Sequence, residues 1–386
     1  MHIVLVSREL PPMRRCGGIG RYVDELAKKI SERHDVTVIS SLYAVPQPNN
    51  EYELIGIPFA DFSDKGGGVI NKLKMLINFL PYRICLLWAL RKLHAKKPVD
   101  LVEVPEYGAE GIFLCGFTKR NSIRLHVRIH GPTLLDRETP RIRLYSFTSP
   151  LKSIIAYMEM LMVRRADVVS VPSQSFLLLA RKFFTKGSEL KYLPNFIDTK
   201  EWAAREKVIE YKNCIFFAGT LVKAKGILLL VDAHNQLMND GVSLELVVAG
   251  RSGRTVVGLE GDKQSYVGIL SKNELVTYYS SSEIVCIPSY YETFGLVLVE
   301  AMAAGALIIA ADNDVFREMI IDGDNGFLFK SGSSSDLKSV ISKVLALSEL
   351  ERNKVRENAV NASKQWDVNA FICSYERYLL DECRLD

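Results

Sequence analysis

EIVCIPSYYETFGLVLVEAMAAGALIIAA, residues 283–311, decides how this chain folds. Its first segment, EIVCIPS (283–289), is a short apolar run that stops at a proline, and its last, ALIIAA (306–311), is a second such run. Continuous apolar runs suit strands covered on both faces. Between them Gly295 opens a helical stretch to 304, the kind of crossover that joins parallel strands. The same segment raises a chemical question. Glu300 sits in one of the most apolar parts of the chain, and an unpaired buried carboxylate is costly. A polar partner is required, from the protein or from a ligand.

The strand–helix pattern repeats outward. HIVLVS (2–7), DVTVIS (35–40), DLVEV (100–104), IRLHVRI (123–129) and DVVSVPS (167–173) read as strands of one series. In GIGRYVDELAKKISER, Val23, Leu26, Ala27 and Ile30 recur at helical spacing. NCIFFAG (213–219), SLELVVAG (243–250), EIVCIPS and ALIIAA form a second series. Single cores stop growing at about 250–300 residues, so 386 residues suit two domains. The expected fold class is α/β, with two Rossmann-like doubly wound domains facing across a central cleft. Turn residues in LPNFIDTKEW (193–202) place the join there: domain one over 1–196 and domain two over 197–366. A helical tail, 367–386, is expected to pack back on the first domain. In open α/β sheets ligands sit beyond the carboxyl ends of the strands, so candidate residues should follow strands.

Composition narrows the class. At 48% hydrophobic and 24% charged residues, the chain is ordinary globular protein. Seven scattered cysteines (16, 85, 115, 214, 286, 373, 383) argue against a disulfide framework or a zinc site. MHIVLVSREL lacks a cleavage pattern, so a cytoplasmic location is expected. The net charge of +4 is uneven: residues 1–200 hold 30 basic and 19 acidic side chains, and residues 201–386 hold 19 and 26. A basic first half suits an anionic partner such as lipid head groups or an acidic glycan, and no nucleic-acid pattern accompanies it. NKLKMLINFLPYRICLLWALRKLHAKK (71–97) is interrupted by Pro81 and Arg83 and reads as two amphipathic helical pieces. They either pack on a sheet or rest on a membrane face as a peripheral contact.

Several loops then carry the chemistry. RELPPMRRCGGIG places Gly17 and Gly18 at a helix start, where backbone N–H groups can approach an anion. His130 ends a strand in VRIHGP. FAGTLVKAKG sets Lys223 and Lys225 after a strand and before a helix, an arrangement that suits a diphosphate. After EIVCIPS come Glu292, the amides of Phe294, Gly295 and Leu296, and Glu300. A helix N-terminus favours phosphate, and carboxylates accept well from vicinal hydroxyls of a sugar or ribose. The alternative for both glutamates is an internal partner, including the lysine pair.

The two glutamates in E-T-F-G-L…E-A-M-A-x-G resemble the retaining nucleotide-sugar glycosyltransferases of family 4, which have the GT-B fold. The Gly-Gly loop at 17–18, His130, PNFID (194–198), the segment 219–226 and NGFLF (325–329) come in family order, so the likeness spans nearly the whole chain. The resemblance implies that Gly17 and Gly18 lie against the donor phosphates or sugar. It implies that His130 contacts the sugar, Lys225 neutralises the leaving diphosphate, and Glu292 holds the sugar hydroxyls. Phe294, Gly295 and Leu296 would bind through their amides, Glu300 would hold the ribose, and backbone at Gly268 and Ile269 would flank the base. The chain departs from the family where Thr220 replaces a frequent arginine and Ala224 precedes the lysine; Lys223 is the candidate substitute.

The activity that the resemblance implies is sugar transfer from a nucleoside diphosphate sugar, UDP first and GDP-mannose second. The acceptor would be a hydroxyl of a glycan, lipid-linked or lipopolysaccharide-type precursor. No cofactor and no metal are expected. A small soluble acceptor, such as a cationic aminocyclitol, is the alternative if Glu103, Glu106 and Glu110 line the pocket. A sugar-nucleotide epimerase and a non-catalytic nucleotide-sugar-binding subunit are the rival readings. ADNDV (311–315) and DGDNG (322–326) look like metal motifs but stand in the wrong context.

Overall fold

The computed structural model describes residues 1–11, 17–41, 51–58, 69–133, 135–136, 141–142, 150–184, 189–203, 213–251 and 263–379. Cys16, Cys383, residues 12–16 of the first glycine-bearing loop and residues 380–386 of the C-terminal tail lie outside them. The chain divides into two units. One contains Met1–Asp136, Arg141–Leu193 and the residues from Ile372 onward; the other contains Pro194–Phe371.

Unit 1 is built on β1 (His2–Ser7), β2 (Asp35–Ser41), β3 (Glu53–Ile57), β4 (Leu101–Pro105) and β5 (Arg124–Arg128). A small antiparallel hairpin of β6 (Leu135–Asp136) and β7 (Arg141–Ile142) comes next, then β8 (Val168–Val171) and β9 (Glu189–Tyr192). The main sheet is parallel, in the order β3-β2-β1-β4-β5-β8-β9. Its helices are α1 (Gly18–Ile30), α2 (Val69–Lys96), α3 (Leu114–Arg120), α4 (Pro150–Val163) and α5 (Gln174–Phe184). All six residues of β1 are buried, as a strand covered on both faces demands. Helix α1 buries Tyr22, Val23, Leu26, Ala27 and Ile30 on one face and ends with Lys28 and Lys29, which suit the negative end of its dipole.

Unit 2 opens with the single turn α6 (Thr199–Trp202) and continues with β10 (Cys214–Ala218), α7 (Ile227–Asn239), β11 (Glu245–Ala249), β12 (Gln264–Gly268) and α8 (Lys272–Ser281). Next come β13 (Ile284–Ile287), α9 (Leu296–Ala303), β14 (Ile308–Asp312), β15 (Phe327–Lys330), α10 (Ser334–Leu345) and α11 (Glu349–Ser363). The sheet is parallel in the order β12-β11-β10-β13-β14-β15. The opening segment is therefore β13–α9–β14, with β13 and β14 paired in parallel register from Val285↔Ile308. Helix α9 buries Leu298, Val299, Ala301 and Met302 against Phe216, Ile287 and Phe316, and Glu300 is left half-buried at its flank.

Both sheets reverse direction of growth once. In unit 1 the chain runs outward from β1 to β3 and then crosses to β4; in unit 2 it runs from β10 to β12 and then crosses to β13. Those reversals are the topological switch points where open α/β sheets leave a crevice.

One expectation changes. Residues 71–97 are not two helical pieces: α2 is one helix with Pro81 inside it. A single proline removes one helical hydrogen bond, and packing on β3 and around the buried Tyr82, Leu86 and Leu90 keeps the helix intact. Helix α12 (Val368–Leu379) does not belong to one unit alone. Val368 donates to the Ile197 carbonyl and Phe371 packs on Phe196 at 4.3 Å, whereas the buried Tyr375 hydroxyl donates to Glu103 at 2.8 Å.

Candidate functional site

In unit 2 the candidate residues gather at the switch point. After β10 the chain makes a 3-10 turn over Lys223–Lys225, and Gly226 then enters α7. After β13 it runs through Glu292 to Gly295, which precedes α9. The two loops touch: the Tyr290 amide donates to the Ala224 carbonyl at 3.1 Å. Their approach depends on residue 226 having no side chain. Gly226 sits at φ 71°, and a Cβ there would fall 2.0 Å from the Pro288 carbonyl oxygen. Gly295 is similarly fixed, at φ 93° with a Cβ position 2.6 Å from the Phe316 ring.

Across this junction the Lys225 ammonium donates to the Glu292 carboxylate at 2.5 Å. The two side chains are 26% and 15% exposed, so the pair is far drier than a surface ion pair, whose worth is typically about 0–1 kcal/mol. The sequence left open whether Glu292 meets a ligand or the lysine pair. Glu292 meets Lys225. The pair leaves two ammonium N–H donors and the second carboxylate oxygen for other partners. Behind the pair, α9 begins at Gly295 with no side-chain cap, so its N-terminal amides are not covered by a neighbouring oxygen of that residue.

The remaining unit 2 candidates lie on neighbouring strand ends. Thr220 and Lys223 are exposed in the β10 loop, and the Leu221 amide there donates to the Arg251 carbonyl at 2.9 Å. Arg251 thus sits beside the position where Thr220 replaces an arginine; its sequence signal was a lone basic residue directly after the strand-end Ala-Gly of LVVAGR. Gly268 ends β12 at φ 78° and Ile269 is 67% exposed. Next to them is a pocket of about 410 Å³ lined by Val267, Leu270, Asn273, Glu274, Thr277 and Tyr278. Tyr278 is stacked on Phe216 at 4.6 Å. The pocket does not include Lys225 or Glu292.

The apparent metal motifs have other work. Arg317 pairs with Asp312 through Nη2 at 2.9 Å and with Asp314 at 3.2 Å. Asn313 donates to the Ser289 carbonyl at 3.1 Å and accepts from the Phe316 amide, so it braces the Glu292 loop. In DGDNG, Asp322 and Asn325 accept backbone N–H bonds from Leu328 and Ile321. Among the described residues no three His, Cys, Asp or Glu side chains converge.

In unit 1 Gly17 precedes α1 without a side-chain cap, and Gly18 is exposed. A Cβ on Gly17 would fall 2.7 Å from a Glu9 carboxylate oxygen, so Glu9 lies against this helix start. At the β1/β4 switch point Arg8 pairs with Glu110. His130 comes after β5, partly open to solvent, with its ring edge-on to Tyr22 at 5.1 Å. Burial, and then the nearby Arg128 charge, depress its pKa to about 3. The imidazole is therefore neutral at ordinary pH and can exchange hydrogen bonds with a sugar hydroxyl.

Glu103, Glu106 and Glu110 do not line an open acceptor pocket, which corrects the condition set for a cationic acceptor. All three are buried and committed internally. Glu103 accepts from His126 at 3.0 Å and from Tyr375, and His126 meets Ser170 at 2.7 Å. Burial would raise the Glu103 pKa, but His126, Arg128 and Tyr375 outweigh it and hold the group below its ordinary value. Glu106 accepts from the His130 amide at 2.8 Å and the Gly131 amide at 2.5 Å. Burial, then repulsion from Glu159, push its pKa up to about 8. Glu159, on α4, accepts from the Gly108 amide at 2.6 Å, the Thr133 amide at 3.0 Å and the Thr133 hydroxyl. Sequence reading missed Glu159, although a lone acid in the apolar run AYMEMLMV was the same signal that marked Glu300.

Known proteins bear on this geometry in three ways. The description Glycosyltransferase Family 4 matches residues 16–201, and Glycosyl transferases group 1 matches residues 198–365. The chain belongs to the family 4 glycosyltransferases. Among curated relatives, a phosphatidyl-myo-inositol mannosyltransferase of Mycobacterium leprae is 27% identical over 48% of this chain and 52% of its own length. A lipopolysaccharide 1,2-N-acetylglucosaminetransferase of Salmonella typhimurium is 30% identical over 39% and 44%. The chain thus spans about half the length of the curated relatives it matches. Among solved structures, sucrose-phosphate synthase from Thermosynechococcus elongatus superposes with a TM-score of 0.77 at 19% identity, covering 97% of both chains. Anabaena Alr3699/HepE in complex with UDP-glucose gives 0.72 at 18% identity, covering 98% of both. These likenesses establish the GT-B fold.

Proposed function

We propose that this chain is a retaining glycosyltransferase. It moves a sugar from a nucleoside diphosphate sugar, UDP-linked first and GDP-mannose second, to a hydroxyl of a glycan or a lipid-linked or lipopolysaccharide-type precursor. The observation that carries this reading is the partly buried Lys225–Glu292 pair at the β10/β13 switch point. Donor binding separates the pair. Lys225, aided by Lys223 and the α9 N-terminus, takes the diphosphate; Glu292 takes the sugar hydroxyls. Glu300 holds the ribose, and Gly268 and Ile269 flank the base. Curated relatives named for mannosyl and N-acetylglucosaminyl transfer, and a structural neighbour holding UDP-glucose, support the class of donor.

In the reaction the bond from the sugar anomeric carbon to the β-phosphate oxygen breaks, and its electron pair leaves with the diphosphate. A bond to the acceptor oxygen forms on the same face, and the acceptor proton passes to the departing phosphate oxygen. His130, neutral, is the unit 1 group assigned to a sugar hydroxyl. No metal is required in this scheme, because Lys225 and the helix amides meet the leaving charge and Arg317 neutralises the Asp312/Asp314 pair. Thermal-shift measurement with UDP, GDP, ADP and their glucose or mannose conjugates tests the reading. A rise in melting temperature confined to one nucleotide and its sugars supports it; no rise with any of them contradicts it.

The acceptor side of the proposal places the protein against an anionic membrane on the cytoplasmic face. Helix α2 contains no Asp or Glu, and it exposes Leu80, Ile84 and Trp88 (49%, 45% and 64%) at four-residue spacing. Arg91 lies over Trp88 at 5.8 Å, with Lys92 and Lys96 exposed beyond it. An apolar stripe running into a basic end suits an interfacial helix. Among the described residues no helix is long and apolar enough to cross a membrane.

A further inference from the structure

Between the end of β5 and Thr133 the chain reads His130-Gly131-Pro132-Thr133. Three of these residues carry a backbone N–H, and Pro132 carries none. All three donors end on carboxylates. His130 and Gly131 donate to the two oxygens of Glu106, at 2.8 and 2.5 Å, and Thr133 donates to Glu159 at 3.0 Å. The Thr133 hydroxyl also donates to Glu159. The two acids come from different places, one after β4 and one from the middle of α4, and both are buried, at 0% and 3% exposure. Glu159 further accepts from Gly108, which ties this loop to the 3-10 turn Tyr107–Ala109.

This is an expensive way to close a loop. Burying two acids near each other costs free energy that a turn made of backbone bonds avoids. Among the described residues neither acid forms an ion pair; Glu159 acts on Glu106, Arg83 from α2 acts on Glu159, and His130 meets Glu106 through its backbone amide. What the arrangement supplies is rigidity at one place: every amide that could let the loop rotate is pinned, and the pinned residue is His130.

We propose that Glu106 and Glu159 are positioning residues: they brace the 130–133 loop and so fix the His130 ring in the orientation that reaches a sugar. The inference rests on the assignment of His130 to the sugar but concerns residues that assignment does not involve. Glu106 accepts through both oxygens, as an ionised carboxylate does, whereas a proton on it would compete with one of the two amides.

The test uses the full chain with 15N-labelled histidine rings, the His130 signals being identified by their loss in His130→Ala. Affinities for UDP and UDP-glucose are measured alongside. Glu106→Gln keeps the size of the side chain but faces one of the two amides with its own N–H. It should displace the His130 ring signals and cut the advantage of UDP-glucose over UDP by about tenfold, leaving UDP affinity itself unchanged. Placed on His130→Ala, the same change should cost nothing more. Thr133→Val, which removes only one hydroxyl, should move the same signals less, and it serves if Glu106→Gln does not fold. His130 signals unaltered by both variants would overturn the proposal, as would an undiminished effect of Glu106→Gln in the His130→Ala background. Signals that move in a protein preferring UDP-glucose no more than UDP would keep the brace and remove His130 from the sugar.

Discussion

Glu159 and Glu300 pose one problem in two helices: an acid set among apolar residues. Glu159 meets three N–H or O–H donors inside the protein, and Glu300 is half-buried on the flank of α9. Periodicity marks both as unusual but cannot say what either acid meets, because donors such as Gly108 and Thr133 lie far from Glu159 in sequence. For the same reason the sequence left the Lys225–Glu292 pair as one of two alternatives, its partners being 67 residues apart. At this scale Glu300→Ala should raise the Michaelis constant for the donor, and Lys225→Ala should lower kcat about 10²–10³-fold, as loss of a charge-stabilising donor does. Wild-type kinetics in either variant would remove that residue from the site. Glu106 also carries a pH signature. Its folded pKa, about 8, lies above its ordinary value, so its stabilisation is complete below pH ~4.5 and is lost as pH rises through 8. His130 acts with the opposite sign: its folded pKa, about 3, lies below its ordinary value, so its contribution holds above pH ~6.5 and is lost as pH falls through 3. The melting temperature of Glu106→Gln should consequently fall less than that of the wild type between pH 5 and about 8.5; parallel curves would mean that Glu106 does not titrate in this window.

At the scale of elements, the strands of the two main sheets that sequence reading found are the interior ones and those that it missed there are the four edges; the short β6/β7 hairpin was missed as well. β3, β9, β12 and β15 close the two sheets, and each has exposed or half-buried positions that break a continuous buried run. An edge strand has one neighbour and less cover, so it lacks the continuous apolar run that betrays a central strand. Loops obey another logic. Gly226 is legible only as a helix-start glycine, yet its contact with Pro288 sets how closely the β10 and β13 loops approach. Gly226→Ala combines a left-handed backbone, costing about 1 kcal/mol or more for a non-glycine residue, with a 2.0 Å collision against backbone. Calorimetry should show a clear loss of melting temperature, and donor affinity should fall with it; an unchanged variant would contradict the placement of these loops. For α2 the corresponding element is its outer stripe. Trp88→Glu should weaken binding to phosphatidylglycerol-containing vesicles without altering donor binding, and equal flotation of both proteins would dismiss the membrane face.

At the scale of the molecule, family membership and fold agree with the parallel-sheet reading of residues 283–311, and the charge difference between the halves matches the proposed division of labour. A basic first half suits an anionic acceptor or surface, and the second half draws its local positive potential from Lys223, Lys225 and a helix N-terminus rather than from net charge. Substrate identity lies below what this pattern encodes, since base, sugar and acceptor are each read by a few side chains.

The central claim is that Lys225 and Glu292 part to admit a diphosphate and a sugar. Calorimetric titration of UDP-glucose and of UDP into the wild type, Glu292→Ala and Lys225→Ala tests it most directly. The account predicts that Glu292→Ala loses the extra affinity for the sugar while still binding UDP, and that Lys225→Ala weakens both ligands. Binding of both ligands with unchanged affinity in the two variants would show that the pair is a structural tie and that the donor, if there is one, sits elsewhere.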